Sequence, residues 1–539
     1  MKNFKRFLPL FSLLLPLSGG ILMGLTPAPY QAWSLAWVAL VPLWFSVVRS
    51  QSLRQSALNG FVWGIGYHGL ALFWITGVHP MTWMGVPWLA SLAIAIFCLV
   101  ALTLCGAVLV ATWSFGFSWL SKAPIKQKPK ISALVRVLIG TALWCGLEGV
   151  WSAGPLWWTS LSYTQSPHNL VILHLGQLSG PSTVTAAIVA VNGLLAEACI
   201  SYLLFKTEPE IKAKTASIIY LTTAITLLIS LHLIGFSLYN RPLIQPATTA
   251  LKVGIIQGNI GNDIKLFTQG KNIALENYTK GYKQLADLGI DAVLTPETAL
   301  PFYWDVLKQT NFYAAILEKG VVAWVGAYGE QGNSYTNSLF TITGKGEIES
   351  EYDKVKLVPL GEYIPFEPIL GKIIDRLSPL DAHLAAGNPN QLFDTPFGRA
   401  IVGICYESAF AEHFRRQAAR GGQFILTASN NAHYSQVMPA QHHAQDVMRA
   451  VETDRWAARA TNTGYSGIVD PHGRTIWISG INTYEVHAAT IYRRQTKTLY
   501  VSWGDWLTPV LLFLASLLWF VQKIKVKIGN ARAYRGSSM

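Results

Sequence analysis

Three reactive side chains, Glu297, Lys354 and Cys405, stand at the ends of predicted elements in the second half of the chain. Cys405 ends the apolar run Arg399–Cys405, and a helix is predicted to begin just after it. A thiol at a helix N-terminus meets the positive end of the helix dipole, which favours the thiolate. Backbone N–H groups at such a turn can also bind an oxyanion. These residue types predict nucleophilic catalysis by a thiol.

The stretch that must position these residues alternates short strands with helices. The predicted helices lie at about 270–288, 304–319, 408–420 and 440–460. The predicted strands are Lys252–Gln257, Asp291–Thr295, Val321–Ala327, Ser338–Thr343, Arg399–Cys405, Phe424–Ser429 and Gly467–Val469. Nearly continuous apolar strands between helices indicate a sheet covered by helices, so we predict one α/β domain here.

The rest of the chain is too apolar for a soluble protein. Charged residues make up 13% of the 539 residues, against about 25% in an average soluble protein. Runs near the length of about 20 apolar residues that spans a bilayer occur at 7–25, 30–48, 57–78, 88–112, 131–151, 182–205, 216–236 and 506–522. We therefore predict a bundle of eight transmembrane helices. Seven lie in 1–236, the α/β domain occupies 237–505, and 506–539 holds the eighth helix and a basic tail.

The formal net charge of +13 is unevenly distributed along the chain. The segments before 251 and after 505 together carry +15, whereas 251–505 carries −2. The loops 26–29, 79–87 and 152–181 contain no Lys or Arg, and the alternate loops contain nearly all of those outside the domain. The positive-inside rule then predicts cytoplasmic termini and a domain on the opposite side, which is the periplasm in a Gram-negative cell. The basic charge is an orientation signal and does not indicate nucleic-acid binding.

The N-terminus allows a second interpretation. Lys2, Lys5 and Arg6 before an apolar run resemble a signal peptide. No small-x-small cleavage site follows, so a retained first span is favoured. Cleavage would leave the remaining topology unchanged.

Cysteine usage singles out one thiol. Cys98, Cys105, Cys145 and Cys199 fall in predicted spans, where cysteine packs as a small apolar residue. Cys405 is the only cysteine of the domain, so it has no soluble partner for a disulfide in an oxidising compartment. An unpaired thiol there is a candidate nucleophile, and an inert buried cysteine is the alternative.

Glu297, Lys354 and Cys405, in this order and at these spacings, resemble the Glu-Lys-Cys triad of the nitrilase superfamily. With eight spans around such a domain, essentially the whole chain resembles the apolipoprotein N-acyltransferase family. Lys356 competes with Lys354, and the family's spacing to the Pro-Leu-Gly-Glu sequence at 359–362 selects Lys354. The most specific stretches are LVPLGEYIPF at 357–366 and GICYE at 403–407, supported by VGIIQGN at 253–259 and RATNTG at 459–464.

The resemblance implies an αββα sandwich and a membrane enzyme that needs no cofactor or metal. It implies transfer of an acyl chain from a membrane phospholipid to the α-amino group of the N-terminal S-diacylglyceryl-cysteine of apolipoproteins, the last step of lipoprotein maturation. The expected location is the cell inner membrane. On these residue types we expect Glu297 to take the proton of Cys405 and Lys354 to stabilise the oxyanion with a backbone N–H near Tyr406. The reaction would be ping-pong through a thioester on Cys405.

Three neighbouring residues are expected to support the triad. The resemblance places Glu362 near Lys354 and the oxyanion, and the alternative is a solvated loop acid. Tyr406 and Glu407 resemble family residues beside the nucleophile, and the alternative for both is plain packing.

The sequence departs from the family pattern at three positions where a Trp is common. Thr295 precedes Pro-Glu, Leu266 follows Lys265, and His433 stands in Ser-Asn-Asn-Ala-His-Tyr. These departures leave the substrate contacts and the acyl preference open.

Other polar and aromatic residues have simpler interpretations. His433, His442 and His443 lack the spacing of zinc motifs and are expected to be solvated or packed. Glu148 and Glu197 fall within predicted spans, where an ionisable residue is a functional hypothesis, although Glu148 suits a headgroup-level position. Four tryptophans in the uncharged loops suit an aromatic belt or the border of a lipid entry: Trp83, Trp88, Trp157 and Trp158.

Rival functions share part of this pattern. A membrane-tethered amidase would use the same triad chemistry, but it would need one span as an anchor rather than a bundle. A transporter with an appended domain should show repeat-related, interrupted spans, and we find no such repeat. A purely structural lipoprotein-binding module would not need Glu297, Lys354 and Cys405 together.

Overall fold

A bundle of apolar helices and an α/β domain inserted into it make up the protein. The computed structural model describes residues 4–121, 131–207, 211–332, 334–359, 361–363, 384–432 and 434–536. His433 and the motif residues Leu360 and 364–366 lie outside the described residues.

Helices with apolar runs form the bundle, at Phe4–Gly24, Val41–Arg49, Leu53–Ala71, Trp88–Ser121, Ala133–Ser152, Pro181–Thr207, Ile211–Tyr239 and Leu507–Gly536. Within the described part of the chain, five helices are long and apolar enough to cross a bilayer: Trp88–Ser121, Ala133–Ser152, Pro181–Lys206, Ile211–Tyr239 and Leu507–Ile524. The predicted span 30–48 is divided into a 3₁₀ helix at Trp33–Trp37 and the helix Val41–Arg49. The predicted total of eight spans therefore stays a prediction.

The α/β domain contains two β-sheets. Its strands are β1 Ala250–Gln257, β2 Ala292–Leu294, β3 Val322–Gln331, β4 Ser334–Ile342, β5 Ile348–Asp353, β6 Ala400–Ile404, β7 Phe424–Ser429, β8 Ala457–Thr461, β9 Gly467–Val469, β10 Thr475–Ile478 and β11 Glu485–Tyr492. Among the described residues, one sheet has the order β11-β1-β2-β3-β4-β5 and the other β10-β9-β8-β7-β6. The central strands β1–β2–β3 and β6–β7–β8 are parallel, so their carboxyl ends share an edge in each sheet.

The two sheets pack face to face and helices cover their outer faces. Side chains of both sheets form one apolar core, among them Val253, Leu294, Trp324, Val402, Leu426 and Ala458. The helices Thr268–Asp287 and Asn311–Lys319 cover the first sheet. The helices Ala411–Ala419 and Val437–Thr453 cover the second. The order of layers is helix, sheet, sheet, helix.

The predicted strands all occur, as β1–β4, β6, β7 and β9, whereas β5, β8, β10 and β11 escaped prediction. The helix predicted at 440–460 is wrong in its last part, because the helix ends at Thr453 and β8 begins at Ala457. Asp454 ends the helix with a left-handed φ of 55°. The segment Ala-Ala-Arg-Ala-Thr becomes a strand because it pairs with β7 and β9, which overrides its weak local preference.

Gln441, on the helix Val437–Thr453, joins the domain to the bundle. Its Nε2 donates to the carbonyls of Ala28 and Ala71, both at 2.9 Å. Its Oε1 accepts from the indole N–H groups of Trp74 at 3.1 Å and Trp158 at 2.8 Å. This buried amide therefore uses its full hydrogen-bonding capacity between the two parts of the protein.

We expect Gln441→Leu to destabilise the protein, because it leaves buried donors and acceptors without partners, at about 1–3 kcal/mol for each such group. The thermal unfolding midpoint in detergent, followed by tryptophan fluorescence, should fall by at least about 4 °C. The matched control is Gln284→Leu on an exposed helix face, which should leave the midpoint unchanged. Equal midpoints for the two variants would contradict this role.

Candidate active site

The three triad residues come from both sheets, each at the end of a strand. Glu297 lies shortly after β2, Lys354 directly follows β5, and Cys405 directly follows β6. Cys405 has a φ of 51°, and Thr298, next to Glu297, has a φ of 46°. Residues other than glycine seldom adopt such angles, and backbone strain of this kind clusters at functional sites.

Lys354 is buried between two carboxylates. Its Nζ donates to Oε1 of Glu297 at 2.9 Å and to Oε1 of Glu362 at 2.7 Å. Asn337 donates from its side-chain Nδ2 to the same Glu297 oxygen at 2.7 Å. The backbone carbonyl of Asn337 accepts from the backbone N–H of Lys354 at 2.9 Å. The structure thus brings Glu297, Lys354 and Glu362 together and adds Asn337, which the sequence analysis missed.

The two carboxylates have opposite pKa shifts. Burial by itself raises the pKa of Glu297, but the charge and hydrogen bond of Lys354, helped by Lys265, bring that pKa below its ordinary value. Burial raises the pKa of Glu362 above its ordinary value, against the opposing charge of Lys354. Burial also disfavours the Lys354 ammonium, yet the two carboxylates hold its pKa well above the ordinary value. Glu297 is therefore ionised at neutral pH, the form that a base requires.

The Cys405 thiol is buried and protonated. Its Sγ donates to the carbonyl of Asn430 at 3.8 Å. Burial, together with the negative charge of Glu297, raises the pKa of Cys405 to about 12, against the opposing charge of Lys354. The thiolate expected from the helix dipole is thus not the resting form, because burial outweighs the dipole. A base must remove the proton before this sulfur can attack.

The turn Cys405–Ala409 carries the candidate nucleophile, and we call it the nucleophile turn. Glu407 connects it to the chain that follows Lys354. Its Oε1 accepts from the backbone N–H groups of Val355 at 2.7 Å and Lys356 at 3.0 Å. Its Oε2 accepts from the backbone N–H of Ile404 at 2.8 Å and from the Tyr352 hydroxyl at 3.0 Å. One buried carboxylate therefore holds the residues after Lys354 and the residue before Cys405 in a fixed relation.

Tyr406 fastens the same turn to the helical bundle. Its hydroxyl donates to the carbonyls of Pro155 at 2.7 Å and Trp157 at 2.8 Å. Its ring stacks on Trp158, with centroids 6.1 Å apart and planes 7° apart. Trp157 and Trp158 are buried against the domain rather than free in an aromatic belt. The loop 152–181 thus forms one wall beside the nucleophile.

His442 completes the attachment of the nucleophile turn. Its Nε2 donates to the carbonyl of Cys405 at 2.7 Å, while Nδ1 accepts from Asn431 at 3.2 Å. Burial lowers the pKa of His442 to about 3, so the ring is neutral. The sequence analysis assigned His442 a packing role and had no signal for its contact with Cys405. His443 bonds to Thr475, and no described group of three His, Cys, Asp or Glu residues could hold a metal ion.

Apolar side chains of the bundle and the domain meet beside Tyr406. The bundle contributes Leu72, Trp74, Ile75, Cys98, Leu99, Leu102, Trp151, Trp157 and Trp158, and the domain contributes Tyr406, Ala409, Phe410, Tyr434, Val437 and Met438. We call this group the apolar junction. Lys356 lies at it, with Nζ 4.8 Å from the ring centroid of Phe410, and does not enter the ion pairs of Lys354. The junction extends from helices of the bundle to Tyr406, the residue that follows Cys405.

The remaining predicted residues lie outside the ion-pair cluster. Thr295 is buried and accepts from the Gly326 N–H at 3.0 Å within the first sheet. Leu266 is 50% exposed. Glu148 and Glu197 are structural, because each bonds to neighbouring bundle residues: Trp144, Ser160, Leu161 and Thr185 for Glu148, and Trp44 and Arg136 for Glu197.

Comparison with known proteins identifies two family models along the chain. The model of the apolipoprotein N-acyltransferase N-terminal domain matches residues 19–194, and the carbon-nitrogen hydrolase model matches residues 252–499. Three curated relatives are named apolipoprotein N-acyltransferase. The relative from Nostoc sp. is 61% identical over 92% of this chain and 97% of its own length. The relative from Synechocystis sp. is 48% identical over 93% and 98%, and that from Gloeobacter violaceus is 35% identical over 93% and 92%.

Among solved structures, an amidase from Nesterenkonia sp. resembles the chain with a TM-score of 0.37 and 17% identity. The match covers 48% of this chain and 95% of the amidase.

We expect Glu407→Gln to destabilise the domain, since an amide has one acceptor oxygen and cannot satisfy the four donors that the carboxylate now serves. Hydrogen bonds to a charged group contribute about 1.5–3 kcal/mol each. The thermal midpoint should fall clearly below that of Glu412→Gln, the matched control. Glu412 pairs with Arg415 and Arg416 at the surface, where such pairs contribute about 0–1 kcal/mol. A midpoint equal to the control's would show that Glu407 does not hold the turn.

Proposed function

The chain belongs to the apolipoprotein N-acyltransferase family and is an acyltransferase, and from this premise we propose that Cys405 carries the acyl group. The donor is a membrane phospholipid. The acceptor is the α-amino group of the N-terminal S-diacylglyceryl-cysteine of an apolipoprotein. The buried contact between Lys354 and Glu297, whose charges act on the Cys405 sulfur, is the observation that carries this assignment.

In the first half of the reaction, Glu297 takes the proton of the Cys405 thiol and the sulfur attacks the ester carbonyl of the phospholipid. The negative charge that develops on the carbonyl oxygen is stabilised by Lys354 and a backbone N–H near Tyr406. The ester C–O bond breaks, and the leaving lysophospholipid oxygen receives the proton from Glu297. The product is a thioester on Cys405.

In the second half, the amine of the apolipoprotein attacks the thioester carbonyl. Glu297 accepts a proton from the amine, the C–S bond breaks, and the Cys405 sulfur is reprotonated. The amide is more stable than the thioester, so this half runs downhill. Donor product leaves before acceptor reacts, which is a ping-pong sequence.

The three supporting assignments follow from contacts at the site. Glu362 shares Lys354 with Glu297, so it fixes the direction of the ammonium. Glu407 sets the distance between the residues that follow Lys354 and the nucleophile turn. Tyr406 sets the position of that turn against the bundle. Glu407 and Tyr406 act by positioning, because their polar atoms bond to the protein itself: to backbone groups and, for Glu407, also to the Tyr352 hydroxyl.

The apolar junction favours a lipid donor over a small water-soluble amide. An acyl chain that enters from the membrane can remain in an apolar environment until its carbonyl carbon meets Cys405. This transfer avoids exposing the chain to water, which would cost about 0.8 kcal/mol for each CH₂ group. A tethered amidase that acts on a small water-soluble amide would not need the apolar junction.

We also propose the arrangement in the membrane. The bundle of eight spans comprises residues 1–236 and 506–539 and lies in the cell inner membrane. The catalytic domain, 237–505, faces the periplasm and both termini face the cytoplasm, as the distribution of Lys and Arg indicates. In this orientation the domain meets lipids of the outer leaflet.

We expect wild-type protein incubated with phospholipid alone to gain one acyl chain on the peptide that contains Cys405, detected by mass spectrometry. Addition of a diacylated lipopeptide with N-terminal cysteine should move that chain to its amine. Cys405→Ala should abolish both products, whereas Cys145→Ala, which alters a buried cysteine of the bundle, should retain both.

Two results would overturn the proposal. Transfer by Cys405→Ala would exclude the thioester. Release of free fatty acid or ammonia by the wild type, without acylation of the lipopeptide, would favour hydrolase activity instead.

A further inference from the structure

A second lysine, Lys265, is buried next to the triad and has no part in the mechanism above. It ends the one-turn helix Asn262–Lys265, which follows β1. Its side chain is 4% exposed, and Nζ donates to the backbone carbonyl of Glu297 at 3.1 Å. The charges of Glu297, Cys405 and Lys354 all act on it. The buried Lys265 ammonium is exposed to the charge of a second buried ammonium, that of Lys354, and this costly arrangement calls for an explanation.

The loop that carries Lys265 is anchored to the second sheet. Asn462 donates to the carbonyl of Ile260 at 2.7 Å and accepts from its N–H at 3.0 Å. Asn430 donates to Oδ1 of Asn262 at 3.1 Å, and its own carbonyl accepts the Cys405 thiol. The position of Lys265 is thus tied to the residue that orients the nucleophile.

The charges of the site require a second cation. Glu297, Glu362 and Lys354 together carry one net negative charge when all are ionised, and Lys265 neutralises it. Without Lys265, Glu297 would lose one of the two cations whose charges lower its pKa, so it would take up a proton at a higher pH. Glu297, protonated, could not accept the proton of Cys405.

We propose that Lys265 is a positioning residue that holds the backbone of Glu297 and supplies the second positive charge that keeps the cluster free of an added proton. This proposal rests on the role of Glu297 as the base. During catalysis the thiol proton moves to Glu297 and the negative charge moves to sulfur, so the total charge near Lys265 stays constant. Lys265 itself exchanges no proton in the cycle.

The sign of the pH effect follows from the charge. Burial lowers the pKa of Lys265 to about 8, while Glu297 and Cys405 oppose the shift and Lys354 adds to it. Below that pH the ammonium lowers the pKa of Glu297 and preserves the base. Above it the wild type has itself lost the charge, so a neutral substitute should then behave like the wild type.

The test compares Lys265→Met and Lys265→Arg with Lys345→Met, which removes the same charge from an exposed turn between β4 and β5. The rate of Cys405 alkylation by iodoacetamide is measured from pH 4 to 9 by mass spectrometry of its peptide, without lipid. Single-turnover acylation by phospholipid is measured over the same range, and thermal midpoints verify folding.

We expect the low-pH limb of both rate profiles to lie about one pH unit higher in Lys265→Met than in the wild type. On that limb, where Glu297 is being protonated, a shift of one pKa unit is a rate about 10-fold lower, and the two profiles should converge above pH 8. The kcat should fall at low pH with KM for phospholipid unchanged, because Lys265 contacts Glu297 and not the substrate. Lys265→Arg should retain the wild-type profile at low pH, and Lys345→Met should match the wild type throughout.

An unshifted pH profile in Lys265→Met would overturn the inference, as would a Lys265→Arg variant with the same defect as Lys265→Met. The alkylation assay separates this result from the proposed function. If the Lys265 effect appears in alkylation while wild-type protein forms no acyl adduct, the acyl-transfer mechanism fails and the charge role of Lys265 stands.

Discussion

Lys354 is buried, with 1% of its surface exposed, and its ammonium sets the geometry of the active site. Removing such a charge from water costs several kcal/mol unless opposite charges surround it. Glu297 and Glu362 supply those charges, and Asn337 bonds to both the backbone of Lys354 and the carboxylate of Glu297. The demand for neutralisation therefore draws the ends of β2 and β5 together, and Glu297 and Lys354, the proposed base and the proposed oxyanion-stabilising cation, are positioned as one unit.

The nucleophile reaches this unit from the other sheet, and backbone contacts determine its approach. Glu407 links the nucleophile turn to the chain that follows Lys354. Tyr406 bonds to the loop of the bundle that contains Pro155, and His442 bonds to the carbonyl of Cys405. The same turn is thus held by the catalytic domain and by the membrane part. This arrangement suits the mechanism proposed above, in which the acyl chain would arrive through the bundle and react in the domain.

Periodicity and composition predicted the layered domain because its central strands are continuous apolar runs whose burial the sequence displays. The strands that escaped prediction lack this property. β8 is Ala-Ala-Arg-Ala-Thr, β10 is largely exposed and β11 is mostly half-buried, so their conformation depends on pairing with neighbours. The division of the second predicted span into two helical pieces also has no clear signal in hydropathy, since both pieces are apolar.

By itself the sequence determined the residue types of the site, since a carboxylate, an ammonium and a lone domain cysteine in a family-specific order define the chemistry. The distribution of Lys and Arg along the chain predicts an orientation in the membrane. Only the tertiary structure decided the electrostatics. Burial raises the pKa of the Cys405 thiol, gives Glu297 and Glu362 opposite shifts, and places Lys265 against the backbone of Glu297. These properties depend on distances between residues far apart in the chain and on exclusion of water, and neither quantity is encoded in local sequence.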